Sequence, residues 1–138
     1  MNDTHLILRH LLKSIQYRLV KCLHATDYTY LDFQSPGGVR TPAQILEHMC
    51  AVLRVFITEL KINDNKLPEP SDDIATSFFQ LLDQAALQVG HANVSLADAL
   101  ILIQGPLSDL LTHVGQLAMI RRMYGSPLEK ENFMRADI

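Results

Sequence analysis

Cysteine is scarce in this sequence: Cys22 and Cys50 are the only two in 138 residues. They form no close pair of the kind that builds a zinc ribbon or a redox motif. A chain of this length can bury a real core and has no need of a disulfide. Both cysteines fall inside apolar helical patterns and are expected as buried thiols. An excess of basic charge is missing as well. The 12 Lys and Arg face 15 Asp and Glu, for a net charge of −3 with His neutral, which leaves no positive field to grip nucleic acid. Arg121 and Arg122 form the one basic doublet, expected on a solvated or salt-bridged helix edge. No stretch approaches the roughly 20 apolar residues of a membrane span. The opening MNDTHLILRHLLKS has no basic stretch before its apolar residues, which His10 and Lys13 interrupt, so it does not read as a secretory signal. Repeats, low-complexity tracts and strand-like alternation are absent too. What is present is 48% apolar and 20% charged residues, a balance that excludes global disorder. The expectation is a soluble cytoplasmic protein with a single domain over residues 1–138.

Helical periodicity fills the space these absences leave. Leu8, Leu11, Leu12, Ile15, Leu19 and Leu23 recur at three- and four-residue steps, predicting a first helix over about residues 4–25, capped by Asn2, Asp3 or Thr4. The segment ATDYTYLDFQSPGGVR then predicts a long ordered loop anchored by Tyr28, Tyr30 and Phe33, either covering the end of the core or forming a lid beside a pocket. Thr41-Pro42-Ala43-Gln44 is a capping-box pattern with proline at the first helical position. It opens a second helix with the stripe Ile45, Met49, Val52, Phe56 and Leu60, ending at the polar linker KINDNKLPEP. Ser71 is expected to cap a third helix, with Asp72 and Asp73 in its first turn and Gly90 as a left-handed C-terminal cap. Ser95 opens a further helical stretch that Gly105-Pro106 interrupts, so that the main fourth helix begins near Pro106 and stops at Gly125. The tail SPLEKENFMRADI reads as a short extra helix or an arm. Four amphipathic helices in one small chain suggest an all-α, antiparallel bundle.

One constellation has the residue types for chemistry. Asp109 and His113 lie four positions apart, one turn apart on a single helix face, among Leu110, Leu117 and Ile120. His48 borders the apolar stripe of the second helix, and two facing helices bring it to the same point. Two imidazoles and a carboxylate suit zinc, nickel, iron or manganese, with open positions for water or a ligand. The same spacing also fits an ordinary helix ion pair, with His48 as a hydrogen-bonded core residue. His5, His10, His24 and His91 are weaker candidates. Gln116, one turn from His113, is placed to hydrogen-bond a ligand or a loop, or simply to pack. Gly115, costly inside a helix, suggests a close helix approach beside the site.

Two stretches carry a family resemblance. TPAQILEHM, residues 41–49, resembles the second-helix signature of the DinB/YfiT-like bundle proteins, and THVGQLAMIRRMYGSP, residues 112–127, resembles their fourth-helix signature. The resemblance implies an up-down-down-up four-helix bundle, commonly a homodimer. It also implies a metal held by one second-helix histidine and a His-x-x-x-His pair on the fourth helix. His48 and His113 match two of these ligands. Asp109 stands where the first histidine of the pair is usual, a departure that a carboxylate ligand can accommodate. Relatives include thiol-cofactor-dependent transferases or isomerases and proteins that resemble hydrolases. The resulting expectation is a metal-dependent enzyme that transfers to, or hydrolyses, a small molecule. Its metal would be a divalent transition metal, zinc or nickel before iron or manganese, on His48, Asp109 and His113. The apolar richness of the first and fourth helices points to a homodimer with no nucleic-acid or membrane partner. The rival expectation is a non-catalytic dimeric binding or structural module with a degenerate metal site.

Overall fold

The computed structural model describes residues 2–63 and 66–138. Positions 64 and 65 of the KINDNKLPEP linker lie outside the described residues. The first helix, α1 (Asp3–Leu23), starts where the sequence offers a side-chain acceptor. The Asn2 side chain accepts the His5 backbone N–H at 3.0 Å, and the His5 ring accepts the Asn2 N–H in return. The helix buries Leu8, Leu12, Ile15, Leu19 and Cys22. The connection that follows contains a short helix, α2 (Tyr28–Leu31). Tyr30 anchors it: the ring is wholly buried and its hydroxyl donates to the Leu117 carbonyl at 2.8 Å. Phe33 packs edge-on against Tyr124. Tyr28, expected as a third anchor, points into solvent instead.

The capping box at Thr41 forms as its sequence predicts. Thr41 Oγ1 accepts the Gln44 N–H at 3.2 Å, and Gln44 Oε1 accepts the Thr41 N–H at 2.9 Å. From it runs α3 (Pro42–Glu59), burying Ile45, Leu46, Met49, Leu53, Phe56 and Ile57 among others. The next cap is Asp73 rather than Ser71. Its carboxylate accepts the Thr76 N–H at 3.2 Å and opens α4 (Ile74–His91). An anion at the positive end of a helix outcompetes a hydroxyl two residues earlier, and the Ser71 hydroxyl instead accepts the Asp73 N–H. Gly90 stays helical, and the chain leaves α4 at Ala92 in an extended conformation, so no left-handed cap forms there.

Ser95 caps α5 (Leu96–Leu102) as expected. A short helix precedes Pro106 and the main helix begins just after it, as expected. Pro106 itself sits in a π turn, Ile103–Leu107, that leads straight into α6 (Ser108–Tyr124). The wider turn tolerates a residue with no N–H, and the Ser108 hydroxyl donates to the Ile103 carbonyl at 2.5 Å. The 5-residue π turn also preserves phase: Leu102 before it and Leu107 at its end both face the core. Gly125, with φ of 99°, ends α6 in the left-handed conformation.

Helix α1 lies against α4 and α6, and α3 lies against the same two, all around one hydrophobic core. Among the described residues there is no strand. Cys22 and Cys50 are buried free thiols, and burial pushes the Cys22 thiol up to about 11. The tail is an arm with a single 3-10 turn, Phe133–Arg135, strapped to α1. Glu131 accepts from the Tyr17 hydroxyl at 2.9 Å and from Lys21 Nζ at 2.6 Å, and the Arg18 guanidinium lies over the Phe133 ring at 4.0 Å.

Two residues of α6 depart from expectation. Arg121 is not on a solvated edge but only 6% exposed. Its guanidinium donates to the carbonyls of Lys21 at 2.9 Å and Cys22 at 3.0 Å, the last turn of α1, and its Nε to Ser126 at 2.7 Å. Position 121 follows Leu110, Val114 and Leu117 along the buried face, and carbonyls at the negative end of a helix draw a cation inward. Gly115 makes no close helix approach: it is exposed, and a Cβ there would meet nothing within 4 Å. Gly115→Ala is therefore expected to stabilise the protein by up to about 1 kcal/mol, read as a rise in the urea midpoint. A lower midpoint would show that the glycine serves a contact outside this chain.

Candidate metal centre

His48 is held by α3, seven residues beyond the Thr41 cap and next to buried Met49, at the margin of the apolar stripe. Asp109 and His113 occupy the first two turns of α6, just after the π turn. Because α3 packs against α6, the three side chains meet. Asp109 reaches both imidazoles: Oδ1 is 3.3 Å from His113 Nε2, and Oδ2 is 3.6 Å from His48 Nε2. The two rings lie edge to face with centroids 4.7 Å apart. One potential ligand atom from each residue falls within 4.8 Å of the others. Zinc bound tetrahedrally at about 2.0–2.1 Å sets its donors roughly 3.4 Å apart; the two separations involving Asp109 are near this value but run to different carboxylate oxygens.

The orientation of His113 says more than the distances. Its Nδ1 lies 2.9 Å from Gln116 Oε1. With the Gln116 amide oxygen facing the ring, Nδ1 is assigned as the donor, which leaves the lone pair on Nε2. That Nε2 is buried and has no hydrogen-bond partner. It sits within ion-pair distance of Asp109 Oδ1, but in this tautomer it has no proton to donate, and two electron-rich atoms face each other. A cation between them removes the conflict. The carboxylate chemistry, the tautomer and the orphaned nitrogen therefore fit a divalent metal.

The site is graded in exposure. The His113 side chain is 11% exposed, His48 38% and Asp109 44%. His113 forms the floor and the other two the rim, so an ion here would keep a solvent-facing side. The remaining histidines stand elsewhere. His5 Nε2 is 2.7 Å from the Ala92 carbonyl, and His10, His24 and His91 are exposed. Gln116, expected either to hydrogen-bond a ligand or a loop or simply to pack, meets the His113 ring, and the three-residue helical spacing was the signal for it. Sequence reasoning missed Arg40, which lines a cleft together with His113 and Gln116.

No family model, curated protein or solved structure matches this chain. The class that fold and site define is therefore an all-helical protein with a His–Asp–His group able to hold a metal ion. Among the described residues no helix is long and apolar enough to cross a membrane.

Proposed function

We propose that the chain is a DinB-like bundle whose long helices run up-down-down-up. In this reading it is a metal-dependent enzyme acting on a small molecule by transfer or hydrolysis. His48, Asp109 and His113 hold the metal, with zinc or nickel preferred over iron or manganese by two imidazoles and a carboxylate. The observation that carries the reading is the buried, unpartnered Nε2 of His113 facing the Asp109 carboxylate. When bound, such an ion supplies Lewis acidity or an activated water or thiol at its open position. Gln116 keeps the His113 lone pair turned to the site, Asp109 supplies the negative charge, and the exposed rim leaves a path for a ligand. The connection from Glu59 to Ile74 can extend to about 50 Å. That exceeds the roughly 27 Å length of the 18-residue α3, so neighbouring α3 and α4 can run parallel. Apolar residues left exposed on α1 (Leu6, Ile7 and Val20) support a homodimer.

Calorimetric titration of metal-stripped, untagged protein with zinc and nickel tests the centre. One ion bound per chain is the expected result; no uptake of either metal would overturn the reading. A second reading has an observation of its own: Asp109 lies near both imidazoles, and a proton on one of them would make a closed ion pair in a non-catalytic module. That arrangement takes up no metal, so the same titration separates the closed ion pair from the metal centre; a centre that holds metal without catalysing is told apart by a water or ligand bound at an open position of the ion.

A further inference from the structure

Beside the metal centre, one turn further along α6 and one turn earlier in α3, the surface folds into a cleft of ≈ 420 Å³. This is within the range of about 300–1,000 Å³ that small-ligand sites occupy. Its walls are apolar: Val39, Ile45, Met119, Ile120 and Met123. The methionines are unbranched and polarizable, suited to a flexible apolar guest. His113 and Gln116 line the same cleft, which therefore reaches the centre. Arg40 also lines it, exposed and, among the described residues, with no hydrogen bond or ion pair. A free guanidinium at the wall of an apolar cleft matches a carboxylate, which it can hold through two parallel hydrogen bonds. With no second cation of Lys or Arg type among the lining residues, the match is to one negative charge rather than to the two of a phosphate monoester.

We propose that this cleft binds an amphipathic monocarboxylate. Its chain or ring lies along Ile45, Met119 and Met123, its carboxylate pairs with Arg40, and its far end is presented beside His113. The proposal rests on the metal-centre reading only in making that far end the reacting one. It gives Arg40 the role of a specificity residue, and it gives the loop that carries Val39 and Arg40 a part in ligand selection.

The test uses octanoate as probe, with octan-1-ol and acetate as controls, on the full chain stripped of metal. Methyl resonances of Met119 and Met123 report occupancy of the cleft. Octanoate is expected to shift both and to bind more tightly than either control. Arg40→Gln should weaken octanoate by about fivefold at low salt and leave octan-1-ol unchanged. Equal binding of octanoate and octan-1-ol, an unchanged affinity in Arg40→Gln, or shifts confined to other methionines would each overturn the proposal. So would methyl shifts that follow protein concentration without any probe, since the cleft would then be a face between two copies. Because no metal is present, the outcome is independent of the zinc titration: Arg40-dependent binding in a protein that takes up no zinc would sink the metal centre and leave the cleft standing.

Discussion

Zinc affinity is expected to fall by at least about a hundredfold in His113→Ala, measured by calorimetry against the unmodified protein. Loss of the hydrogen-bond partner of a metal-bound histidine alone costs about 10–100-fold, and here the ligand itself is removed. His113 is also the most buried of the three side chains, so water replaces its nitrogen less readily than it would at the rim. The other positions should follow in a set order. Asp109→Asn keeps the shape and loses the charge, and weakens binding. Asp109→His places a neutral nitrogen donor at the same turn and should retain or raise zinc affinity. Gln116→Leu leaves all three ligands in place but frees the ring to choose the other tautomer, and should cost about 10–100-fold. If His113→Ala held zinc as tightly as the unmodified protein, the assigned site would be wrong. If Gln116→Leu did so, the tautomer argument would fail while the ligand set stood.

Arg121→Met is expected to lower stability by about 3 kcal/mol and the melting temperature by about 10 °C. Two effects compete. Releasing a buried cation recovers its desolvation cost, which in other settings makes such replacements neutral or favourable. Here the guanidinium meets three carbonyls, two of them in the last turn of α1, where no N–H of the helix can reach. Methionine fills the volume but leaves those acceptors buried without donors, and charged hydrogen bonds of this kind are worth about 1.5–3 kcal/mol each. The loss therefore outweighs the recovery. Arg121→Lys should restore only part of the difference, because an ammonium cannot reach three diverging acceptors as a planar fork does. A change below about 0.5 kcal/mol for Arg121→Met, the level of an ordinary surface substitution, would show that water serves those carbonyls equally well.

The contrast between these two residues marks what the sequence made legible. Helix positions, the Thr41–Gln44 box, the Ser95 cap and the Gly125 stop follow from local chemistry: a side chain answers a backbone group three residues away in the caps, and a glycine adopts the left-handed backbone at the stop. The meeting of His48 with Asp109 and His113 was also legible, since each sits at a defined place on an amphipathic face and the bundle has few ways to join those faces. Asp73 displaced Ser71 as a cap because two suitable acceptors stand close together, and their competition is decided by charge and geometry rather than by residue type. Arg121 read as surface because an arginine is normally solvated; only the distant end of α1 reveals its partners. Gly115 read as a packing contact, but no neighbour within the chain comes near it. Arg40 went unmarked because a loop residue acquires meaning from the cleft it lines, and that cleft is assembled from α3, α6 and the loop between α2 and α3.

The strap from α6 to α1 also sets a timetable. Arg121 and Lys21 are 100 positions apart, and the Tyr30 hydroxyl waits 87 positions for the Leu117 carbonyl. At a synthesis rate of about 5–20 residues per second, the end of α1 stands without its cation for roughly 5–20 seconds after it is made. Throughout that interval its stripe of leucines has no α6 to cover it. Helix α4 is made first and can already pack on α1, but the carbonyls at the end of α1 are answered only when the last long helix is made.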